Sequence, residues 1–323
     1  MLFQVSTQNS KVDFPTIITL FFLFPQSTGP FSFFHSFRLE PTHSPIHLSK
    51  MTSLLNVFDV QFDSRPAIEF VRNHNEIPAI AIAVYLCVVF LVPKYMANRQ
   101  PMALRPLFKI WNLGLSTFSI IGAVYTVPAA FHFLSERGLR WTVCTDPLDD
   151  YFYDGPVGFW FYAFALSKIP ELGDTLFLVV QKKDVIFLHW YHHITVLAYC
   201  WHAYQVRVGG GIFFASMNYF VHSIMYTYYF LMCFPVARKF IRKIAIFITS
   251  IQLLQMCVGV AVTFITAYYY QKTKTSGQSC HVDVFNLELA FGMYTSYFIL
   301  FGALFRKLYG PKPKNAAPKT KSA

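Results

Sequence analysis

The run Val185-Ile186-Phe187-Leu188-His189-Trp190-Tyr191-His192-His193-Ile194-Thr195-Val196-Leu197 decides how this chain is read. It places three imidazoles within five residues of an otherwise apolar stretch. On a helix, offsets of zero, three and four put His189, His192 and His193 on one face, inside an arc of about 100°. Hydrocarbon makes ionisable groups expensive, so histidines at that depth face a polar cavity and mark function. The question is what the rest of the chain builds around them.

Composition names the solvent. Of 323 residues, 54% are hydrophobic, 19% aromatic and only 13% charged, whereas a soluble domain carries about 25% charged residues. With several apolar runs of spanning length, this indicates an integral membrane protein. The net charge of +11 is spread in short basic clusters between apolar runs. That pattern fits the positive-inside rule and an anionic ligand better than a nucleic-acid groove. Six cysteines occur without any C-x-x-C, which argues against a thiolate zinc site.

Seven stretches are expected to span: 77–95, 106–134, 158–180, 185–206, 211–234, 243–270 and 284–308. The second and fourth are interrupted by proline or polar residues. Lys94, Arg99, Arg105 and Lys109 flank the first connection, and Lys182 and Lys183 sit in the third. Arg238, Lys239, Arg242 and Lys243 crowd the fifth, and Arg306, Lys307, Lys312 and Lys314 follow the last span. The even connections are poorer in Lys and Arg, and the second holds Asp146, Asp149, Asp150 and Asp154. The N-terminus is therefore expected in the lumen and the C-terminus in the cytosol. On that topology Cys144 and Cys280 both lie in lumenal loops, where an oxidising compartment favours a disulfide between them.

Both ends differ from the middle. Residues 1–50 carry a mostly apolar run too short to span, without a basic start or a clear cleavage site. They are expected to be a disordered extension or an artefact of the gene model. Residues 51–310 form the expected functional domain. The basic tail 311–323 ends Lys319-Thr320-Lys321-Ser322-Ala323, matching a dilysine retrieval signal of endoplasmic reticulum membrane proteins.

Three further stripes carry chemistry. Lys168, Glu171 and Asp174 recur every three residues in the third span. Each such charge costs roughly 3 kcal/mol at mid-membrane, so they do not face lipid. They either lock helices together as an internal ion pair, or orient the imidazoles and hold water or substrate. Pro170 is expected to bend that helix. Asn218, His222 and Tyr226 follow at spacing four in the fifth span, and Thr249, Gln252 and Gln255 at spacing three in the sixth. Those last amides serve either as glue between helices or as site groups. By depth, all four stripes fall between the bilayer centre and the cytosolic surface.

Taken together, Lys168-xx-Glu171-xx-Asp174-Thr175, His189-xx-His192-His193, the Asn218-to-Tyr229 segment and Thr249-xx-Gln252-xx-Gln255 resemble the Elo family of very-long-chain fatty acid elongases. The wording of the box and of the Lys168 motif looks most like the branch acting on saturated and monounsaturated acyl chains. The resemblance implies a seven-helix all-α membrane fold. Six of its helices would form a barrel of two inverted three-helix units around an acyl tunnel. It implies condensation of acyl-CoA with malonyl-CoA to 3-oxoacyl-CoA, with no further cofactor and no metal. It further implies His192 as an acyl-imidazole nucleophile, with His189 and His193 holding its tautomer or moving protons. Glu171 and Asp174 would orient it, and His222 and Asn218 would stabilise an enolate. Tyr226, Thr249, Gln252 and Gln255 are candidate substrate contacts, and Lys182, Lys183, Arg238, Lys239, Arg242 and Lys243 candidate holders of CoA phosphates. Expected partners are membrane lipid, other elongation-cycle enzymes and a second copy as homodimer.

Two rivals remain at this stage. Membrane di-iron desaturases also use HxxHH boxes, but draw about eight histidines from three boxes. Only one box occurs among the 11 histidines here. A seven-span transporter or receptor is the other rival, and it leaves the charged and imidazole faces without a task.

Overall fold

The computed structural model describes residues 61–148 and 152–311. The expected extension at 1–50, the start of the domain before residue 61 and the dilysine signal lie outside them.

Helix α1 (Ser64–Asn73) opens on Asp63, whose carboxylate accepts the Arg65 amide at 3.0 Å, satisfying a backbone donor that the first turn leaves orphaned. Helix α2 (Glu76–Phe90) is apolar all round and runs through Leu91 into the short α3 (Val92–Met96), which carries a proline in its first turn. Helix α4 (Arg105–Cys144) outruns the expected span by ten residues. Its regular path breaks at Gly138, at φ 79°, a conformation open to glycine because it has no Cβ. Cys144 therefore ends a helix rather than sitting in a loop.

Helices α5 (Gly155–Glu171) and α6 (Gly173–Val180) share the third stretch and part at Leu172. Pro170 stands just before the break. Around it the Leu172 amide bonds Ile169 O at 3.1 Å and the Thr175 amide bonds Leu172 O at 3.2 Å, a tightened turn of the 3₁₀ kind. Then come α7 (Phe187–Gln205), α8 (Gly211–Met232), α9 (Pro235–Ile241), α10 (Ala245–Ser276) and α11 (Val284–Tyr309). Helix α10 stops at Gly277 in the left-handed region, φ 67°, and α11 is capped by Asp283, which accepts the Asn286 amide at 2.7 Å.

Every stretch expected to span is helical. Four helical segments among the described residues are long and apolar enough to cross a membrane: Glu76–Met96, Arg105–Cys144, Pro235–Thr275 and Val284–Tyr309. The other three expected spans, α5–α6, α7 and α8, are those that carry the charged and imidazole residues. Ile80, Ile110, Phe131, Leu254, Phe264 and Ile299 point outward and are exposed, an apolar outer face suited to lipid.

Helix packing closes on itself. Helix α4 lies against α8, α8 against α10, α10 against α11, α11 against α7, α7 against α5 and α5 against α4, while α2 and α3 rest on α6 and α7. The connections gather at two ends. At one, the Met102 amide bonds Val180 O at 3.0 Å, Lys182 Nζ donates to Ala97 O at 2.7 Å, and Lys109 sits over the Phe234 ring. At the other, Cys144 and Cys280 are joined in a disulfide, His281 N bonds Cys144 O, Arg207 pairs with Asp146 at 2.8 Å, and Arg72 reaches Gln205 O. The expected odd and even connections thus separate cleanly.

Candidate active site

The break at Leu172 turns the polar face of the third stretch toward two neighbours. On α5, Lys168 Nζ donates to Glu171 Oε1 at 2.6 Å and to Asn218 Oδ1 on α8 at 3.1 Å, and Ser167 Oγ donates to the same Glu171 oxygen at 2.9 Å. Asn218 Nδ2 meets His222 Nε2 at 3.2 Å, and His222 Nδ1 stands 3.9 Å from Glu171 Oε2. The four side chains close a ring in which Lys168 is 2% and Glu171 4% exposed. Lys168 and Glu171 form the internal ion pair, and through Asn218 the pair is tied to α8.

Beyond the break, Asp174 takes a different task from the one expected. Its two oxygens accept Trp111 Nε1 at 2.6 Å and Tyr226 OH at 2.7 Å. Gly173 allows this, because a Cβ there would come within 2.9 Å of the Trp111 ring. The side chain seen bonding a box imidazole is Thr175, whose Oγ1 lies 2.8 Å from His189 Nε2 and 2.8 Å from the hydroxyl of Tyr85 on α2. Thr175 had been quoted in the motif without a role. Its place one residue after Asp174 was the available signal.

The box itself spans two environments. His189 and His193 are buried with ring centres 4.6 Å apart. His192 keeps a ring contact with His193 at 5.6 Å and also faces α11, its ring 4.9 Å from that of Tyr297. Tyr297 OH donates to His192 O at 3.1 Å and meets Thr195 Oγ1 at 2.5 Å, so one phenol fixes the turn that carries His192. Sequence reasoning missed Tyr297, because α11 offered no polar stripe. His192 Nδ1 is enclosed with no hydrogen-bonding partner among the described residues. Orphaned buried polar atoms are rare and often serve chemistry.

His192, Asn218 and Gln255 stand in the wall of a narrow cavity of about 50 Å³. Its remaining wall is mainly apolar and aromatic, with Phe161, Val196, Phe214, Met256 and Met293 among its residues. Of the α10 stripe, Gln255 reaches this cavity. Gln252 Nε2 contacts Met225 Sδ of α8 at 3.3 Å, and Thr249 Oγ1 donates to Ala245 O of its own helix and meets Tyr309 OH of α11 at 3.4 Å, both outside the cavity wall. Tyr226 likewise serves Asp174 rather than the cavity wall. Among the described residues, no three His, Cys, Asp or Glu side chains are grouped to hold a metal ion.

The basic residues sit together at the end where the odd connections meet. Lys182, Arg238, Lys239, Arg242 and Lys243 are exposed, and Arg238 Nε donates to Met232 O. Lys183 is half-buried, and burial pulls its ammonium below the ordinary lysine value, Cys233 opposing the shift and Arg105 adding to it. An anion bound beside it would reverse that penalty.

Comparison with known proteins agrees with this arrangement. The family model described as ELO: GNS1/SUR4 family matches residues 70–317. "Fatty acid elongase 3" of Trypanosoma cruzi is 45% identical, covering 74% of this chain and 86% of its own length. "Very long chain fatty acid elongase 4" of the same organism is 50% identical over 71% of this chain and 80% of its own. "Very long chain fatty acid elongase 6" of Gallus gallus is 41% identical over 84% and 98%. With more than half of its length matched and its helices carrying the charged, imidazole and amide motifs in one cluster, the chain belongs to the ELO (GNS1/SUR4) family.

Proposed function

We propose that this protein is the condensing enzyme of fatty acid elongation, a 3-oxoacyl-CoA synthase. It would join a long-chain saturated or monounsaturated acyl-CoA to malonyl-CoA. The observation that carries the reading is His192: a buried imidazole with an unpartnered Nδ1, at the polar end of a long apolar cavity. An imidazole lone pair attacks the thioester carbonyl, a C–N bond forms, the C–S bond breaks and CoA leaves as thiolate to take up a proton. Malonyl-CoA then loses CO₂, and the resulting enolate carbon attacks the acyl-imidazole. The C–N bond breaks, returning His192 and giving 3-oxoacyl-CoA. The enolate oxygen needs donors, and His222 and Asn218, tied to the Lys168–Glu171 pair, are the proposed ones. Gln255 faces the same cavity.

The closed order of helix neighbours supports a barrel of α4, α5, α7, α8, α10 and α11 around the acyl chain, with α2 outside it. The separation of odd and even connections supports seven crossings. The basic end is proposed as cytosolic, where CoA phosphates meet Lys183 and the Arg238–Lys243 cluster, and the disulfide end as lumenal in the endoplasmic reticulum. Pairing as a homodimer and hand-over to the other enzymes of the cycle are proposed on the same reading.

The test is incorporation of labelled malonyl-CoA by microsomes carrying the full chain, offered acyl-CoA primers of several lengths. The wild type should elongate at least one primer, and His192→Ala should lose activity by a factor of 100 or more, roughly the cost of removing an acting group. Peptide mass mapping of a quenched reaction without malonyl-CoA should find the acyl group on His192. No incorporation with any primer would sink the proposal, and an adduct found only elsewhere would sink the role of His192.

A further inference from the structure

The wall of the cavity that holds His192 also holds two phenols. Val196, Tyr199, Cys200 and Tyr204 continue its wall along one face of α7, and the twelve residues from His192 to Tyr204 cover roughly 18 Å. There Tyr204 meets Tyr153, ring on ring at 5.2 Å with 19° between planes. Tyr153 is 0% and Tyr204 2% exposed, and neither hydroxyl has a hydrogen-bonding partner among the described residues. Both residues line the cavity.

Buried tyrosines ordinarily find a partner for the hydroxyl. Phenylalanine would fill the same space without burying an unpaired polar atom, yet two adjacent positions carry tyrosine. The segment that delivers Tyr153 is firmly held. Asp154 Oδ1 accepts both the amide and the hydroxyl of Ser64, and the Gly155 amide bonds Phe62 O. Gly158 lets α5 close directly on the Tyr153 carbonyl, which a Cβ would overlap. The mainly apolar wall thus carries polar groups at His192 and again at the tyrosine pair.

We infer that the Tyr153–Tyr204 end is a binding subsite for a hydroxyl at the ω-terminus of the acyl chain, an inference that rests on the condensing reading above. A phenol donates through its O–H and accepts through its oxygen. A terminal alcohol can answer both, and a terminal methyl answers neither. The thioester carbonyl would lie at His192 and the ω-hydroxyl at the tyrosine pair, so an α,ω-bifunctional chain matches the cavity at both ends.

The experiment compares palmitoyl-CoA with ω-hydroxypalmitoyl-CoA as primers for the full chain in microsomes. Wild type, Tyr153→Phe, Tyr204→Phe and the double variant are each assayed for kcat/KM with labelled malonyl-CoA. The readout is the ratio of the ω-hydroxy to the methyl-ended primer within one preparation, so differences in folded protein cancel. The wild type should elongate both primers. Each single variant should lower the ratio roughly three- to tenfold, as loss of one neutral hydrogen bond does, and the double variant should lower it further. Rejection of the ω-hydroxy primer by the wild type, with the methyl-ended primer elongated, overturns this inference and leaves the condensing reading standing. An unchanged ratio in the double variant also overturns it, the phenols then serving a resident water. Elongation of neither primer overturns both.

Discussion

Replacing Lys168 by methionine tests the polar ring at its centre. The substitution keeps the length and apolar stem of the side chain and removes the ammonium. Glu171 Oε1 would lose its contact at 2.6 Å and keep only Ser167 at 2.9 Å, while Oε2 has His222 no nearer than 3.9 Å. Asn218 Oδ1 would lose its donor as well. A buried carboxylate stripped of its partner costs about 3–5 kcal/mol. Removing the carboxylate too, as Lys168→Met/Glu171→Met, should return at least about 2 kcal/mol, because an apolar pair replaces a buried ion pair at little or no cost. The assay is survival of the monodisperse peak after heating in detergent, measured for wild type, both single variants and the double. The expected order is wild type and double variant close together, with Lys168→Met well below. Activity should not return in the double variant, since Asn218 and His222 have then lost the groups that hold them. Equal stability of Lys168→Met and wild type would refute the reasoning, as would a double variant no better than the single. A double variant that elongates normally would show the ring to be structural only.

Three other outcomes follow from the same geometry. Thr175→Val removes a hydrogen-bonding partner shared by His189 and Tyr85 and should lower kcat roughly 10- to 100-fold, as loss of a group orienting a site histidine does, with Thr175→Ser restoring most of it. Cys144→Ser opens a closure of 136 residues. It should cost on the order of 5 kcal/mol by loop-closure entropy and abolish the shift in electrophoretic mobility between reduced and non-reduced samples. Gly259→Ala drives a Cβ into the Tyr294 ring, a cavity-lining side chain; it should raise KM for long primers more than for short ones, measured across a chain-length series.

How much of this could be read beforehand depends on where the signal resides. Helices at all seven stretches were legible, because apolar runs bounded by charge are a property of the sequence alone. So was the Cys144–Cys280 pair, because charge alternation put both at one end. Convergence of Lys168, Glu171, Asn218, His222 and the box was legible from periodicity and depth. What escaped were contacts made by residues without periodic company. Tyr297 bonds the backbone of His192 from a helix that otherwise reads as plain apolar, and Trp111 reaches Asp174 because Gly173 leaves room. Asp174 was assigned to the imidazoles because it shares their depth, but depth does not fix azimuth. The break after Pro170 rotates α6 so that Thr175 faces His189 and Asp174 faces α4 and α8. The helical stretch of α4 runs past 134 because hydropathy falls away before the helix does, and helical structure resumes after the kink at Gly138.

The division of labour among the helices explains why the site and the fold are hard to perturb separately. Within lipid, apolar side chains gain little by leaving tails for neighbours, so helices associate through close packing and hydrogen bonds. Helices α5, α6, α7 and α8 meet through Lys168 with Asn218, Thr175 with His189, Tyr226 with Asp174, and Tyr219 OH with Trp160 O. Three of those four contacts involve residues of the candidate site. The groups proposed to move protons and hold an enolate are therefore also the groups that join the inner helices. It follows that loss of activity in a single variant here carries no mechanistic weight by itself, since a loosened bundle would lose it too. Only variants that restore the joint while leaving the chemistry broken separate the two roles. The paired Lys168 and Glu171 substitutions do that for the ring, while at the box recovery of kcat in Thr175→Ser but not in Thr175→Val ties the loss to the hydroxyl itself.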